Sequence, residues 1–288
     1  MPQKSLARLV SPNAKVSLRD YDPGDTAGVT KESASEQMET LAKELTTLQA
    51  LLYAASCHSV LIMLQGMDTS GKDGTISHVF ASTNPQGCSV VNFKGPTTDE
   101  LSHDFLWRVH AHTPAKGKMT IFNRSHYEDV LIARVHNLVP PSVWKRRYDQ
   151  INQFESLLTA SGTIILKFFL HISKGEQKVR LQAREQDPGK AWKLDPNDWT
   201  EREYWGDYRE AYEDALAKCT TKNAPWYIVP ADEKWYRNLA ISEAIVAALR
   251  PYTAEWRKAL EARGEEQLTK LRESRAQPAT AAPQPPQA

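Results

Sequence analysis

The hydrophobic pattern is clearest over residues 60–80, where an apolar run is followed by a glycine-bracketed loop and a helix-compatible stretch, VLIMLQGMDTSGKDGTISHVF. This order predicts a buried strand, a tight loop and a helix. A second apolar run, 163–170 (TIILKFFL), predicts another buried strand. Shorter β-rich runs at 88–93, 118–122 and 226–229 predict three further strands.

Helical periodicity separates these strands. Between residues 33 and 55, leucine and methionine recur at helical spacing, and Ser33 with Glu36 has the spacing of an N-terminal capping box. Pro141 suits the first turn of a helix. The other predicted helices cover 99–112, about 126–135, 141–160, 201–218, 235–249 and 252–275.

Strands that alternate with helices predict parallel βαβ units, and so an α/β three-layer sandwich with helices on both faces of a central parallel sheet. Ligands bind such sheets beyond the carboxyl ends of the strands. The glycine loop, Asn123 to Ser125 and residues 171–174 each follow a strand directly. We therefore expect three loops to meet at one edge.

The chain divides into one domain with appendages. Residues 1–30 are polar and predict an extended arm, 31–250 form the domain, 251–276 form a charged C-terminal helix, and 277–288 (QPATAAPQPPQA) predict a disordered tail. Within the domain, residues 172–199 combine turn formers with many basic residues and predict a helical lid. The basic residues of that lid are Lys174, Lys178, Arg180, Arg184, Lys190 and Lys193.

Gly66, Gly71 and Lys72 match the GxxxxGK part of the Walker A pattern, whose backbone N–H groups wrap phosphate oxygens. The preceding strand and following helix are the context that the pattern requires, and the helix adds its positive dipole end. A glycine turn with a surface lysine would not explain this spacing. Asp73 stands where most such loops have Ser or Thr.

Asp68 and Asp73 bring negative charge into a loop that holds anions, which would weaken phosphate binding unless a cation is present. Carboxylates suit Mg²⁺, which also bridges to substrate phosphates. Asp68 is the better candidate ligand, since Asp73 could simply be a favourable charge at a helix start.

The strand at 118–122 ends in Asn123 and Arg124, where a P-loop enzyme usually has a Walker B aspartate. Arg124 is placed to hold phosphate, although a surface salt bridge is the alternative. Glu128 and Asp129 are candidate metal ligands, with a solvated helix face as the stronger alternative. The basic lid could likewise be a solvated helix, but cations that close over the site would stabilise phosphoryl transfer.

Composition adds few constraints. The apolar share of 41% supports a sizeable core, and a formal net charge of +1 gives no reason to expect a nucleic-acid or membrane partner. Three scattered cysteines predict reduced thiols. We find no signal peptide or spanning segment and expect a cytoplasmic protein.

Together these motifs resemble the polyphosphate kinase type 2 family, P-loop phosphotransferases with a thymidylate-kinase-like fold. The resemblance covers about residues 18–250. Besides the loop LQGMDTSGKDGT, it is carried by LRDYDP, LLYA, DFLWRVH, FNRSHYEDVL, QKVRLQAREQDPGKAWKLDPNDW, YWGDY with YEDAL, and APWYIVPADEKWYRNL. The family loop itself contains GKD, so Asp73 is regular within it.

The resemblance implies reversible Mg²⁺-dependent phosphoryl transfer between inorganic polyphosphate and AMP, ADP or ATP, with Mn²⁺ as a substitute metal. It implies catalytic roles for Asp68, Lys72, Arg124, Arg180 and Arg184. It implies phosphate binding by Gly66, Met67, Thr69, Ser70, Gly71, Asp73, Gly74, Thr75 and Lys94.

Many family members have Asp at the position of Asn123 and Asn at that of Glu128. NRSHYED resembles the subgroup that accepts both AMP and ADP, so we predict that Asn123 and Glu128 select the nucleotide. Because Asn is a weaker Mg²⁺ ligand than Asp, we predict that Glu128 or Asp129 binds the metal together with Asp68. The rival hypotheses are an ATP-dependent nucleoside monophosphate kinase and a non-catalytic polyanion sensor. A homodimer or homotetramer is expected.

Overall fold

A computed structural model describes residues 5–189, 192 and 197–276. Within that part, six strands form one sheet in the order β1-β6-β5-β2-β4-β3. The strands β2 to β6 are parallel along their contacts, and β1 pairs antiparallel with β6. Their bounds are β1 Arg8–Leu9, β2 Ser59–Gln65, β3 Cys88–Asn92, β4 Met119–Asn123, β5 Thr163–His171 and β6 Trp226–Pro230.

Strand β2 lies inside the sheet, between β5 and β4. All seven of its residues are buried, as expected for a parallel strand covered on both faces. It pairs with β4 on one side, with Val60 opposite Met119, and with β5 on the other, with Val60 opposite Ile164. The glycine loop that follows β2, residues 66–71, is therefore flanked by the loops after β4 and β5.

Helices cover both faces of the sheet. Alternate β2 side chains, Val60 and Ile62, enter a core with α1, α2, α10 and α11, whereas Leu61 and Met63 enter a second core with α6 and α9. The helices are α1 Lys31–Ala55, α2 Lys72–Val79, α3 Thr98–Leu101, α4 Trp107–His110, α5 Ile132–Val135, α6 Pro141–Ala160, α7 Lys174–Glu185, α8 Asn197–Glu201, α9 Trp205–Lys218, α10 Lys234–Leu249 and α11 Thr253–Ala276.

The predicted fold class is confirmed, and α6 has the predicted bounds. The predicted start of the first helix was wrong. Thr30 caps α1, with its hydroxyl accepting a hydrogen bond from the N–H of Ser33 at 3.3 Å. Because Thr30 caps the helix three residues earlier, Ser33 lies inside the first turn of α1.

Two other predicted helices are interrupted. The stretch 99–112 forms the one-turn helices α3 and α4, since the Asp104 side chain accepts a hydrogen bond from the N–H of Leu106 at 3.0 Å and starts a new turn. After β4, the chain first makes a 3₁₀ turn, His126–Val130, and only then α5.

The N-terminal arm is packed on the domain rather than merely laid over it. Leu6, Ala7 and Val10 are buried, and Arg8–Leu9 adds the edge strand β1, which the sequence did not predict. Residues 277–288, and Lys190 and Lys193 of the predicted lid, lie outside the described residues. No helix in the described part of the chain has both the length and the apolar character needed to cross a membrane.

Candidate active site

The loop between β2 and α2, residues 66–71, has a backbone that needs its two glycines. Gly66 and Gly71 have φ angles of 154° and 103°. A Cβ on Gly66 would lie 2.7 Å from the carbonyl oxygen of Leu170, and one on Gly71 would lie 1.8 Å from Nη1 of Arg237. The two glycines therefore allow the backbone to turn and also allow Leu170 and Arg237 to pack directly against the loop.

The inner surface of this phosphate loop carries polar groups without protein partners. The hydroxyls of Thr69, Ser70 and Thr75 are buried, and no partner for them is found among the described residues. The first turn of α2 adds backbone N–H groups that have no intrahelical acceptor. Buried donors of this kind suit a bound anion such as phosphate.

The Lys72 side chain lies buried along the loop. Its ammonium donates to the carbonyl oxygens of Gly66 at 2.8 Å and Met67 at 3.3 Å. Burial, followed by the positive charge of Arg124, lowers the pKa of Lys72 to about 8 despite nearby carboxylates. Burial therefore disfavours the charged form of Lys72, and a bound polyanion would stabilise it.

Arg124 stands at the end of β4 in a strained position. Its φ of 62° is in the left-handed region, which is uncommon for a residue other than glycine and is often found at functional sites. Its guanidinium donates to Asp68 Oδ1 at 2.7 Å and lies 3.5 Å from Glu128 Oε2. The Glu128 charge is the main reason why the pKa of Arg124 is raised.

Asn123 holds Asp73 in place. Its amide nitrogen donates to Asp73 Oδ1 at 2.8 Å and to Asn92 Oδ1 at 2.7 Å. An aspartate at position 123 would put a second carboxylate within hydrogen-bonding distance of Asp73. The neutral amide removes that repulsion.

Helix α7, in the segment predicted to be a lid, is attached to the phosphate loop. Gln177 of α7 donates to the carbonyl oxygen of Asp68 at 3.0 Å. The Arg180 guanidinium donates to the carbonyl oxygens of Thr69 and Ser70, both at 3.1 Å. Its other donors go to the carbonyl oxygens of Ala231 and Asp232, each at 2.7 Å, and to Glu176.

All five guanidinium donors of Arg180 are therefore occupied by protein groups. This arrangement fixes the loop against the segment after β6. Arg184, one turn further along α7, instead reaches the edge of the cavity and lies 3.4 Å from Asp198 Oδ2.

An open cavity of about 860 Å³ covers the loop. The predicted site residues that line it are Asp68, Thr69, Gly71, Lys72, Asp73, Gly74, Lys94, Asn123, Arg124, Arg180 and Arg184. The other predicted residues do not line it. Glu128 is placed beside Arg124, and Asp129 accepts a hydrogen bond from Arg147 at 3.0 Å, with its pKa raised to about 6 by burial. Gly66, Met67 and Ser70 are buried within the loop, and Thr75 is buried on α2.

Comparison with known proteins decides what this cavity belongs to. The family model described as polyphosphate kinase 2 (PPK2) matches residues 28–256. The chain belongs to the polyphosphate kinase 2 family. It is therefore a kinase of the polyphosphate:nucleotide phosphotransferase type, and the predicted family is confirmed.

Relatives extend the match over most of the chain. An AMP/ADP-polyphosphate phosphotransferase of Meiothermus ruber is 50% identical over 242 residues, 83% of this chain and 91% of the relative. An ADP-polyphosphate phosphotransferase of Rhodopseudomonas palustris is 44% identical, over 83% of this chain and 86% of the relative. The crystal structure of polyphosphate kinase 2 from Arthrobacter aurescens superimposes with a TM-score of 0.80 at 42% identity, covering 86% and 92% of the two chains.

In this polyphosphate kinase 2 member, the sequence prediction missed a cation. Arg237, on the first turn of α10, lies against the phosphate loop and lines the cavity. It follows β6 by only a few residues. The rule that ligands bind beyond the carboxyl ends of strands could have found it.

A second missed feature is the support beneath the loop after β4. Lys167 of β5 is fully buried and donates to Glu155 and to the Tyr127 hydroxyl, and Tyr127 donates to Glu155 Oε1 at 2.8 Å. A buried ion pair with complete hydrogen bonding fixes its surroundings. This network anchors the 3₁₀ turn on which Glu128 lies.

The cavity has carboxylate oxygens of the kind that bind Mg²⁺ in phosphotransferases. Asp68 and Asp73 offer carboxylate oxygens to the cavity. Among the described residues, a set of three closely spaced metal-ligand types occurs only at Cys57, His58 and Glu255, away from this cavity. A Mg²⁺ ion here would need substrate phosphates to complete its ligands, which is its common mode in kinases.

Proposed function

We propose that this protein transfers the terminal phosphoryl group of inorganic polyphosphate to AMP and to ADP, forming ADP and ATP, and that it catalyses the reverse reaction. The observation that carries the proposal is the cationic cavity, in which Lys72, Arg124, Arg184 and Lys94 surround a phosphate loop with unpartnered donors. The choice of acceptors is supported by the name of the Meiothermus ruber relative.

The side chains support direct transfer without a covalent enzyme intermediate. The acceptor phosphate oxygen attacks the end phosphorus in line, and positioned cations stabilise the charge spread over the phosphate oxygens. Lys72 and Arg124 supply this charge from the loop and from the end of β4, and Arg184 supplies it from the lid. Arg180 holds the phosphate loop in shape through its carbonyl oxygens.

A divalent ion belongs to this proposal. Asp68, which lines the cavity together with Asp73, would hold Mg²⁺ or Mn²⁺, with Glu128 beside Arg124 as a further candidate ligand. The ion would neutralise phosphate charge when bound. Asp129 is a weaker candidate than the sequence indicated, because it does not line the cavity and Arg147 donates both to its carboxylate and to its backbone carbonyl oxygen.

Nucleotide selection is proposed for Asn123 and Glu128. Asn123 sets the position of Asp73, and Glu128 sets the charge around Arg124. Both therefore act on the side of the cavity that is formed by the loop after β4.

A matrix of donors and acceptors tests the proposal. Purified protein with Mg²⁺ is given polyphosphate or ATP as donor and AMP or ADP as acceptor, and nucleotides are separated by chromatography. We expect ADP from AMP and ATP from ADP with polyphosphate. Turnover of AMP with ATP but not with polyphosphate would instead identify a nucleoside monophosphate kinase, and Mg²⁺-dependent binding without turnover would identify a sensor.

We further propose a cytoplasmic homodimer or homotetramer. Light scattering coupled to size-exclusion chromatography measures the mass directly. A monomer at assay concentrations would contradict the assembly.

A further inference from the structure

Arg237 is a buried cation whose hydrogen-bond partners are all neutral. Its side chain is 2% exposed. Nη1 donates to the carbonyl oxygen of Ser70 at 3.2 Å, and Nε and Nη2 donate to Asn238 Oδ1 at 3.2 and 2.9 Å. No carboxylate among the described residues forms an ion pair with it.

The local charges oppose this placement. Burial, followed by the charge of Arg180, lowers the pKa of Arg237 to about 10. Arg237 and Lys234 both lie in the first turn of α10, directly after the N-cap residue Glu233. Helix starts favour negative charge, so the backbone N–H groups and the two cations of this turn suit a bound anion.

Sheet order puts Arg237 and Arg124 on opposite sides of the phosphate loop. The loop follows β2, Arg124 follows β4 on one side of β2, and α10 follows β6 on the other side. The Nη1 atom of Arg237 packs against Gly71, in the space that a Cβ would fill. Lys234 and Arg237 line the same cavity as Arg124 and Lys94.

We propose that Arg237 and Lys234 bind the polyphosphate chain behind the phosphoryl group that is transferred. The chain then runs in one direction: its reacting end faces Arg124, and its remaining phosphates pass Gly71 toward the start of α10. This inference rests on the proposed function. A nucleotide acceptor would occupy the opposite side, near Arg124 and Glu128, and would not reach Arg237.

Steady-state kinetics of Arg237→Met and Lys234→Met test the direction. Both variants should raise the KM for long-chain polyphosphate, by about 10-fold for Arg237→Met, the usual effect of one lost charge-assisted hydrogen bond. The KM for ADP should stay within about 2-fold, and Arg237→Lys should recover part of the loss. Arg250→Met is the matched control, because Arg250 follows α10 at its far end and pairs with Glu44.

The KM values for the two substrates separate binding from a structural role. An unchanged KM for polyphosphate in both variants, or a larger rise in the KM for ADP, would overturn the proposal. Lys234 is exposed and gives the answer if Arg237→Met does not fold. If wild-type protein does not use polyphosphate, the proposed function itself fails; if it does and the variants match it, only the direction fails.

Discussion

Replacing Lys72 by methionine separates catalysis from stability. The pKa of the Lys72 ammonium falls from 10.5 to about 8, mainly through burial. That difference of about 2.5 pKa units, at roughly 1.4 kcal/mol each, amounts to about 3.5 kcal/mol that opposes the charged form in the folded protein. Methionine removes this unfavourable charge and fills a similar volume.

The same substitution also removes two hydrogen bonds, to the carbonyl oxygens of Gly66 and Met67. At about 1 kcal/mol each, their loss offsets most of the gain. We therefore expect the thermal midpoint to move by less than about 4 °C. The kcat for polyphosphate-dependent ATP formation should fall at least about 100-fold, because a positioned charge is lost from the transition state.

The assay pairs turnover with thermal unfolding followed by circular dichroism. Lys43→Met is the control, since Lys43 is an exposed residue of α1 paired with Glu39. Retained turnover in Lys72→Met would show that the loop is not the catalytic centre. A large loss of stability would show that the ammonium is a structural group rather than one held ready for substrate.

Three further predictions follow from the same geometry. Gly71→Ala should lower the free energy of unfolding by at least about 1 kcal/mol, because the φ of 103° is left-handed and the new Cβ would meet Arg237. In the same chemical denaturation, Gly264→Ala should raise the free energy of unfolding slightly, because Gly264 lies inside α11 with nothing within 4 Å of the new Cβ. Equal effects of the two substitutions would contradict the strain at Gly71. Glu128→Asn should change the ratio of AMP to ADP use measured under matched conditions, and an equal effect on both acceptors would count against a selector role. The kcat/KM for polyphosphate should fall as pH rises through about 8, because the lowered pKa means that Lys72 is charged below that pH and neutral above it. A decline of kcat/KM only near the ordinary lysine pKa of about 10.4 would refute this.

Strong local patterns made most of the fold predictable. The continuous apolar runs of β2 and β5 and the well-bounded helix α6 need little tertiary information, since hydrophobicity and a helix-starting proline determine them. Edge strand β1 is two residues long and exists only because β6 offers it a partner, so no local pattern reveals it. The split of 99–112 into α3 and α4 likewise depends on one aspartate side chain.

The site was predictable as a set of loops, but individual roles were less so. The order of elements placed Lys72 and Arg124 at one edge, and the structure brings them there. In Arg180 all the guanidinium donors are bound to protein groups, whereas Arg184 reaches the edge of the cavity. The two residues lie one helical turn apart on the same face of α7, so the sequence pattern alone does not distinguish their roles. Arg237 contacts a distant part of the chain, so only its place shortly after β6 could have pointed to it.

Phosphorus NMR on purified protein tests the central claim most directly, with Mg²⁺, polyphosphate and ADP as the only phosphorus compounds added. We predict that ATP resonances grow as polyphosphate signal is lost in equal amount, and that Lys72→Met shows neither change. Persistence of both substrates with wild-type protein, or ATP formed without loss of polyphosphate, would contradict the account.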